Sequence, residues 1–390
     1  MRQTNDVFIV GIGQTQIGEL WELPLRTLAV QALTEARADA GGLQPEAVFV
    51  GSMLAANASR QANLAALINE YAGLAGKAEG FMFEAAEASG GAAIYAAWNA
   101  IRSGMVDVAA VVGVEKVTDM VGAGIENRLL STGIDSDFEA SEGLTLVGQT
   151  SLLLQRYLYE NKVPREALAG FPIIAHHNAV NNPKAMFRRA IDENAYKKAT
   201  LDIGVLNTFD LAPNADGAAA LIITRGDNLP KGLKHKAVRL ASSSYITDRL
   251  AVHDRRDPLF FEAAAVSTQQ ALIKAGIELS LIDFFEYSDN TTLHAVLSLE
   301  AAGFARRGEG WKLAGMGILG LDGTLPVATM GGHKARGFPL GASGVCQVVE
   351  ACLQLRGEAG ANQVPNARVG MTQSVAAAAS AVATQILRVN

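Results

Sequence analysis

The chain has 390 residues, enough for a large core or two fused domains rather than one small domain. Apolar residues make up 49% and charged residues 18%, a globular balance that excludes a disordered chain. A formal charge of −6 excludes a general basic field for nucleic acid or an anionic membrane, so an anionic ligand needs a local basic site.

Taken in chain order, short apolar β-type runs alternate with helical segments. The runs are Val7–Val10, Val48–Val50, Val106–Val112, Ala218–Thr224, Val238–Leu240, Ile282–Tyr287 and Arg368–Thr372. Strands buried on both faces have this composition. The helical segments include Leu25–Ala40, Gly91–Arg102, Glu262–Ala275 and Val345–Leu355. The alternation predicts an α/β architecture. No apolar stretch reaches the roughly 18 residues of a membrane span. The polar start Met1–Asp6 leads into no cleavable signal. The only two cysteines, Cys346 and Cys352, share one apolar helical stretch. They exclude a disulfide framework, give no zinc spacing and read as buried thiols, which fits a cytoplasmic protein.

A repeat is also visible. Glu87-Ala88-Ser89-Gly90 opens a helix that feeds the run Val106–Val112, and Gly341-Ala342-Ser343-Gly344 opens another that feeds the run near Arg368. Each half of the chain therefore carries a strand, a small-residue turn, a helix and a strand, which predicts a duplicated α/β unit. Residues 116–200 interrupt the pattern with Asp135, Asp137, Glu139 and Glu142, then Lys184, Arg188 and Arg189. They read as an insertion in the first half. The acidic run is expected to be a solvated loop, because no histidines accompany it to make a metal site.

Three segments carry candidate chemistry. Glu87 sits in a small-residue turn before a helix, where backbone N–H groups and the dipole favour an anion; the plainer alternative is a helix cap. Gly331–Gly344 is glycine-rich and allows close backbone approach to a ligand, or is simply a structural loop. It is no Walker loop. Glu286–Thr291 is a polar cluster at a strand end before a helix, where open α/β sheets bind ligands, or else an N-cap. His176, His177 and His294 lie in helical contexts and read as structural. No serine–histidine–aspartate arrangement is available, since Gly-x-Ser-x-Gly is missing.

With these segments in place, the sequence resembles the thiolase superfamily nearly end to end, and the sterol-carrier-type and archaeal thiolases most. The resemblance is carried by VGIGQTQIGE (Val10–Glu19), EAAEASGGAA (Glu84–Ala93), GVEKVTD (Gly113–Asp119), HHNAVNNPKAMFR (His176–Arg188), PNADGAAALI (Pro213–Ile222), GGHKARGFPLGASG (Gly331–Gly344) and CLQLRGEAG (Cys352–Gly360). It implies a thiolase fold: two duplicated βαβαβ halves in a layered α/β/α/β/α core, with a loop domain inserted in the first. The implied boundaries are 1–115 with 201–228 for the first half, 116–200 for the loop domain and 236–390 for the second half.

The departures from the family pattern bear on function. Glu87 stands where the resemblance places the nucleophilic cysteine. Ser288 stands where it places the histidine of His-Asp-x-Phe, followed by Asp289 and Asn290, the latter at the position of a second cysteine. Phe338 stands where it places the histidine of Gly-His-Pro. Thiolase chemistry needs a thiolate to carry the acyl group, a base, and donors for the thioester oxyanion. An acyl–glutamate would be an anhydride, and phenylalanine neither donates nor accepts a proton.

The resemblance therefore implies an acyl-CoA-binding protein that works as a carbon–carbon lyase of the retro-aldol type, with Asp289 or Glu87 as base. It is analogous to a thiolase-like group of steroid side-chain aldolases that work with a small OB-fold and zinc-ribbon partner. In that group tyrosines replace the histidines; here only Tyr287 is adjacent, on the opposite face of its strand. The alternatives are a non-catalytic acyl-CoA-binding or scaffold subunit, an acyl-CoA decarboxylase or hydrolase, and a residual acetyl-CoA acyltransferase. The implied ligand is a coenzyme A thioester, with no permanently bound cofactor and no metal. Its implied contacts are Ser242 and Ser243 for pantetheine and Arg188 and Arg189 for phosphates. Gly341 and Ser374 are the backbone or oxyanion positions. A homo-oligomer is expected.

Overall fold

The computed structural model describes residues 6–120 and 133–389. Its strands, in chain order, are β1 (Val7–Gln14), β2 (Ala47–Gly51), β3 (Glu79–Phe83), β4 (Val108–Glu115), β5 (Leu201–Ile203), β6 (Leu206–Asn207), β7 (Gly217–Arg225), β8 (Val238–Thr247), β9 (Phe284–Glu286), β10 (Val369–Ala376) and β11 (Ala381–Arg388). β5 and β6 form a small hairpin. The other nine form one mixed sheet in the order β3-β2-β4-β7-β1-β8-β11-β10-β9.

That sheet is one pattern used twice. In the first half β2 pairs in parallel with β3 and β4, and β4, β7 and β1 follow antiparallel. In the second half β9 pairs in parallel with β10, Phe285 bridges in parallel to Val327, and β10, β11 and β8 follow antiparallel. The halves join where Val7–Ile9 of β1 pair antiparallel with Val238–Leu240 of β8. The duplicated α/β unit expected from the repeat, and the thiolase fold implied by the resemblance, are present.

Side-chain alternation builds the layers. In the first half Ala47, Phe49, Ala109, Val111, Ala219, Leu221 and Ile223 face the central helices Ser89–Ser103 and Ser343–Arg356. Their neighbours Val48, Val50, Val108, Ala110, Val112, Ala218, Ala220 and Ile222 face the outer helix Leu25–Asp39. In the second half Phe284 and Leu387 face the central helices, while Phe285, Met371, Val382 and Ile386 face outward. The result is a helix–sheet–helix–sheet–helix stack. The chain between β4 and β7 carries the helices Leu146–Asn161 and Gly170–Ala179. Their Leu153, Leu154, Tyr157, Phe171 and Ala175 share a core with Val296, Leu297 and Leu299 of the second half.

Besides the short β5–β6 hairpin, two strands of the large sheet escape the sequence reading for physical reasons. β3 is a sheet edge with a half-open pattern, and β11 (Ala-Val-Ala-Thr-Gln-Ile-Leu-Arg) mixes small and polar residues yet is almost wholly buried. β1 contains a bulge between Ile9 and Gly11 that flips the alternation, so Ile9 and Ile12 both face the central helices. Gly13 then faces the outer helix, where an added Cβ would lie 2.2 Å from Ala32 O. Because that neighbour is helix backbone, Gly13→Ala should destabilise the fold by about 1–3 kcal/mol. Reversible chemical denaturation of the variant measures this loss, and an unchanged midpoint would contradict it.

Candidate active site

The two central helices start next to each other. An added Cβ on Gly91 would lie 2.2 Å from Ser374 Oγ, and one on Gly344 would lie 2.7 Å from Gly91 N. Only glycine admits this approach. It brings the turn before each helix, Glu84–Ala88 and Phe338–Ala342, to one apolar cluster of Met53, Leu54, Ala86, Ala88, Val117, Ile134, Leu146, Phe338, Leu340, Ala376, Ala377 and Ala381.

Glu87 projects from the first turn. Ala86 before it takes the left-handed backbone, φ 47°. The turn is held by Ala86 N donating to Glu84 Oε1 at 2.6 Å, Ala85 N donating to Ser89 Oγ at 2.9 Å, and Ser89 Oγ donating to Ala86 O at 2.5 Å. Glu87 is 2% exposed. Its Oε2 accepts Ala377 N at 2.8 Å, and its Oε1 has no hydrogen-bond partner among the described residues. Burial pushes the carboxyl above its usual range, and the Ala377 N–H only partly offsets this. Ala377 and Leu340 are themselves left-handed, with φ 42° and 34°. Three strained non-glycine residues thus border one cluster, a pattern concentrated at functional sites.

The second half supplies the rest. Asp289 is 1% exposed; its Oδ1 accepts His333 N at 2.6 Å, and its Oδ2 is unpartnered among the described residues. Burial raises its pKa against the pull of Lys334, the His333 N–H and Arg336. The His333 ring stacks on Phe338 with centroids 4.7 Å apart, and its Nδ1 lies 3.8 Å from Asp289 Oδ1. Burial and the cations Arg336 and Lys334 keep this imidazole neutral, well below its ordinary pKa. His294 bonds Thr291 Oγ1 through Nδ1 at 2.8 Å and Ala377 O through Nε2 at 2.6 Å. Ala377 thus faces Glu87 with its N–H and His294 with its carbonyl.

Behind these groups lies a buried charge cluster. Arg336, wholly buried, places Nε 3.0 Å from Glu350 Oε1. Glu286 accepts Thr329 N at 3.0 Å. Burial lifts Glu286 to about 7 and Glu350 to about 8. A further carboxyl group, Glu115, ties the halves together: it accepts Ser52 Oγ, Met53 N, Leu54 N and Gly341 N at 2.9, 2.8, 3.0 and 3.1 Å. Asp216 does similar work nearby for Lys116 Nζ, Val117 N and Thr118 N, at 2.8, 2.7 and 3.0 Å.

Two family models match this chain: the thiolase N-terminal domain over residues 7–227 and the thiolase C-terminal domain-like model over 244–389. The chain belongs to the thiolase family. An acetyl-CoA acetyltransferase from Methanothermobacter thermautotrophicus is 35% identical over 98% of this chain and 99% of its own. The benzoylsuccinyl-CoA thiolase subunit BbsB of Thauera aromatica is 28% identical over 95% of each chain. Among solved structures, the Ltp2-ChsH2(DUF35) aldolase superposes with a TM-score of 0.83 at 19% identity, covering 98% of both chains. The Acat5 thiolase from Ascaris suum in complex with coenzyme A gives 0.72 at 16%, covering 98% of this chain and 99% of its own. At these identities the structural likenesses speak for the fold.

Within this thiolase-family fold the expected residues divide. Glu87, Asp289, Asn290 and Phe338 lie in or beside the strained cluster. Asn290 is 6% exposed with Oδ1 unpartnered among the described residues. Ser288 is bound into the scaffold, donating to Gln373 O at 3.1 Å and accepting Val375 N at 3.0 Å. Gly341 cannot serve as an oxyanion donor while its N–H is held by Glu115. Ser374 points into the helix junction at Gly91 and Gly344.

Ser242 and Ser243, expected at the pantetheine, lie inside the core. Both are 0% exposed. Ser242 Oγ donates to Ala271 O at 2.7 Å, and Ser243 Oγ accepts Gln385 Nε2 at 3.3 Å, so both stay within the packed layers. Glu139, expected in a solvated loop, is buried as well, accepting Val252 N at 2.7 Å and Asp135 N at 3.1 Å. Arg188 and Arg189 are exposed, and Arg189 borders a cleft of about 800 Å³. Tyr287 faces away into the outer core, 5.6 Å from Phe285. Both cysteines are wholly buried in the Ser343–Arg356 helix with burial raising their pKa to about 11 and about 12, so the chain has no thiol in this site.

Sequence reasoning missed His333, Lys334 and Gln149. Gln149 lies one turn after Leu146 of the site cluster and has both amide atoms buried and unpartnered among the described residues. The available signal was the run of ionisable residues inside a glycine-rich loop, His333-Lys334-Ala335-Arg336.

The buried acids have a measurable consequence. Glu115 and Glu286 near 7 and Glu350 near 8 hold protons that the unfolded chain has released by about pH 6.5. The native state then binds more protons, so stability falls as pH rises from about 6.5 to about 8. The slope is about 1.4 kcal/mol per pH unit for each fully retained proton. Urea denaturation across this window should show the decline, and Glu350→Gln should flatten it. Stability that is flat or rises with pH in the native chain would contradict the assignment.

Proposed function

We propose that this thiolase-family protein acts on a coenzyme A thioester by breaking a carbon–carbon bond in the retro-aldol sense, without a covalent acyl-enzyme. The observation that carries this reading is the pair of buried carboxyl groups, Glu87 and Asp289. Each keeps one oxygen unpartnered among the described residues, in a site that holds neither thiol of the chain. Acyl transfer needs a thiolate; retro-aldol cleavage needs a base and an acid.

The substrate class is a 3-hydroxyacyl thioester. Asp289, whose pKa burial raises, takes the proton of the 3-hydroxyl in its ionised form. The bond between the 2- and 3-carbons breaks, and carbon 3 leaves as a ketone or aldehyde. The electron pair of the broken bond moves into the thioester as an enolate, which takes a proton at carbon 2 to give the shortened acyl thioester. Glu87, whose pKa burial raises, offers Oε1–H to the thioester oxygen when protonated. The names of relatives support this substrate family, since they act on or bind coenzyme A species, and one solved relative is an aldolase. That aldolase's name couples a DUF35 component, which supports a partner subunit here; we keep the small OB-fold and zinc-ribbon type.

The scaffold use of Ser288 and Gly341 and the inert ring of Phe338 favour a second reading, a non-catalytic acyl-CoA-binding subunit. Mass spectrometry of products from 3-hydroxyacyl-CoA, with and without the partner, separates the two. Glu87→Gln and Asp289→Asn should each lower turnover by about 10²–10⁴-fold. Thioester binding without product would establish the second reading, and undiminished turnover in both variants would remove the carboxyl mechanism.

We also propose a homodimer through β3. This strand is a sheet edge with Met82 41% exposed and Phe81 and Phe83 half-buried against Phe49. An apolar edge with free backbone groups invites a second strand. Met82→Lys should shift the species seen by sedimentation from dimer to monomer; a native chain that sediments as a monomer at micromolar concentration would refute the pairing.

A further inference from the structure

The cleft of about 800 Å³ is lined by the Leu211–Pro213 segment and by neither Glu87 nor Asp289. Ala212 N donates to Asn290 O and Phe338 N to Pro213 O, each at 2.9 Å, so the backbone of this cleft-lining segment is tied to two residues of the candidate site. The walls of the cleft are apolar: Phe187, Ile191, Phe209, Leu211 and Pro213. A volume of this size suits a ligand with an extended apolar body.

Lys334 lines the cleft although it is only 1% exposed. Its Nζ donates to Asp210 O at 2.7 Å and to Phe209 O at 3.3 Å. An ammonium carries three donors, and the two carbonyls take two of them. No carboxylate lies within ion-pair distance of Lys334 among the described residues. The carboxylate of Asp210 is used by Tyr196 OH, Thr292 Oγ1 and Asn207 N, and Oδ1 of Asp289 by His333 N. A buried cation without a paired anion is costly, and burial accordingly lowers its pKa to about 8. His176 beside it keeps Nδ1 3.2 Å from Arg189 O and is held neutral by burial and by Lys334.

We propose that this cleft binds an apolar monocarboxylate, with the carboxylate on Lys334 Nζ and the hydrocarbon body along Phe187, Phe209 and Leu211. A single buried cation matches a single negative charge. The rim opposes a polyanion, because the exposed cation that lines it, Arg189, is accompanied by Asp192 and Asp202. The site is therefore distinct from a coenzyme A phosphate site, and it does not depend on the lyase reading.

Calorimetric titration of the full chain with decanoate, decan-1-ol, decyl phosphate and coenzyme A tests this. Decanoate should bind at one site per chain, with decan-1-ol and decyl phosphate at least about tenfold weaker and coenzyme A not competing. Lys334→Met should abolish decanoate binding, and Ala195→Trp, which fills the cleft from its wall, should abolish it while Lys334 remains. Affinity in the native chain should fall as pH rises through about 8, as Lys334 loses its proton. If Lys334→Met does not fold, Ala195→Trp and the pH profile decide. Equal affinity for decanoate and decan-1-ol, retained binding in Ala195→Trp, or no saturable decanoate binding would each overturn the proposal.

Discussion

The contact between Gly91 and Gly344, where two helix N-termini touch backbone to backbone, sets the geometry of the whole site. Each helix belongs to one copy of the duplicated unit, and each is preceded by a turn of small residues. Because the helices start at one point, the turns must overhang one point as well. Glu87 and Phe338 are distant in sequence, yet their turns border the same apolar cluster. Any side chain at the junction would separate the two turns. Glu115 reinforces the arrangement from below, since its carboxylate holds Met53 and Leu54 of the first half and Gly341 of the second. Two helix N-termini at one place favour a negative charge. Burial opposes it, and at Glu87 burial prevails, so the carboxyl pKa is raised despite its position.

A protein retaining this fold only as scaffold gains nothing from unpaired polar atoms. The free oxygens of Glu87 and Asp289, the amide of Gln149 and both ring nitrogens of His333 are all buried and unpartnered among the described residues. Each such atom costs about 1–3 kcal/mol of desolvation. The left-handed Ala86, Leu340 and Ala377 add strain around the same cluster. Unpartnered buried atoms also occur elsewhere, at Asn69, Arg239, Ser298 and Gln373 for example, so what marks this region is their coincidence with three left-handed non-glycine residues. A region that combines strain with unsatisfied donors and acceptors is arranged to be completed by a ligand.

The duplication and the two turns were legible in the sequence because they rest on backbone requirements: small residues before a helix, and glycines where backbones meet. Side-chain roles were legible only where local geometry sufficed. Tyr287 could be placed on the far face by strand alternation alone. Ser242 and Ser243 could not, because β8 is buried on both faces and its serines meet an outer helix and Gln385 rather than solvent. Ser288 looked like a displaced catalytic position, but the loop end it occupies needs a hydroxyl to join Gln373 and Val375. His333 and Lys334 were hidden in a glycine-rich loop that folds into the short helix Gly332–Arg336, whose successive side chains diverge. One stacks on Phe338 and the next reaches the cleft.

That divergence links the electrostatics of the two regions. Asp289 lies close to three basic side chains, but only two carry charge: burial and the neighbouring cations hold His333 neutral, while Arg336 is engaged with Glu350. Lys334 is therefore the adjustable influence on Asp289, and the largest of the charges that lower its pKa. An anion seated on Lys334 would offset that positive charge and let the Asp289 carboxyl rise further; an empty cleft would leave Asp289 closer to its ionised form. A base must be ionised to accept a proton, so the charge state of a residue facing the cleft bears directly on the residue proposed to start the reaction. Such a coupling would run through one side chain, Lys334.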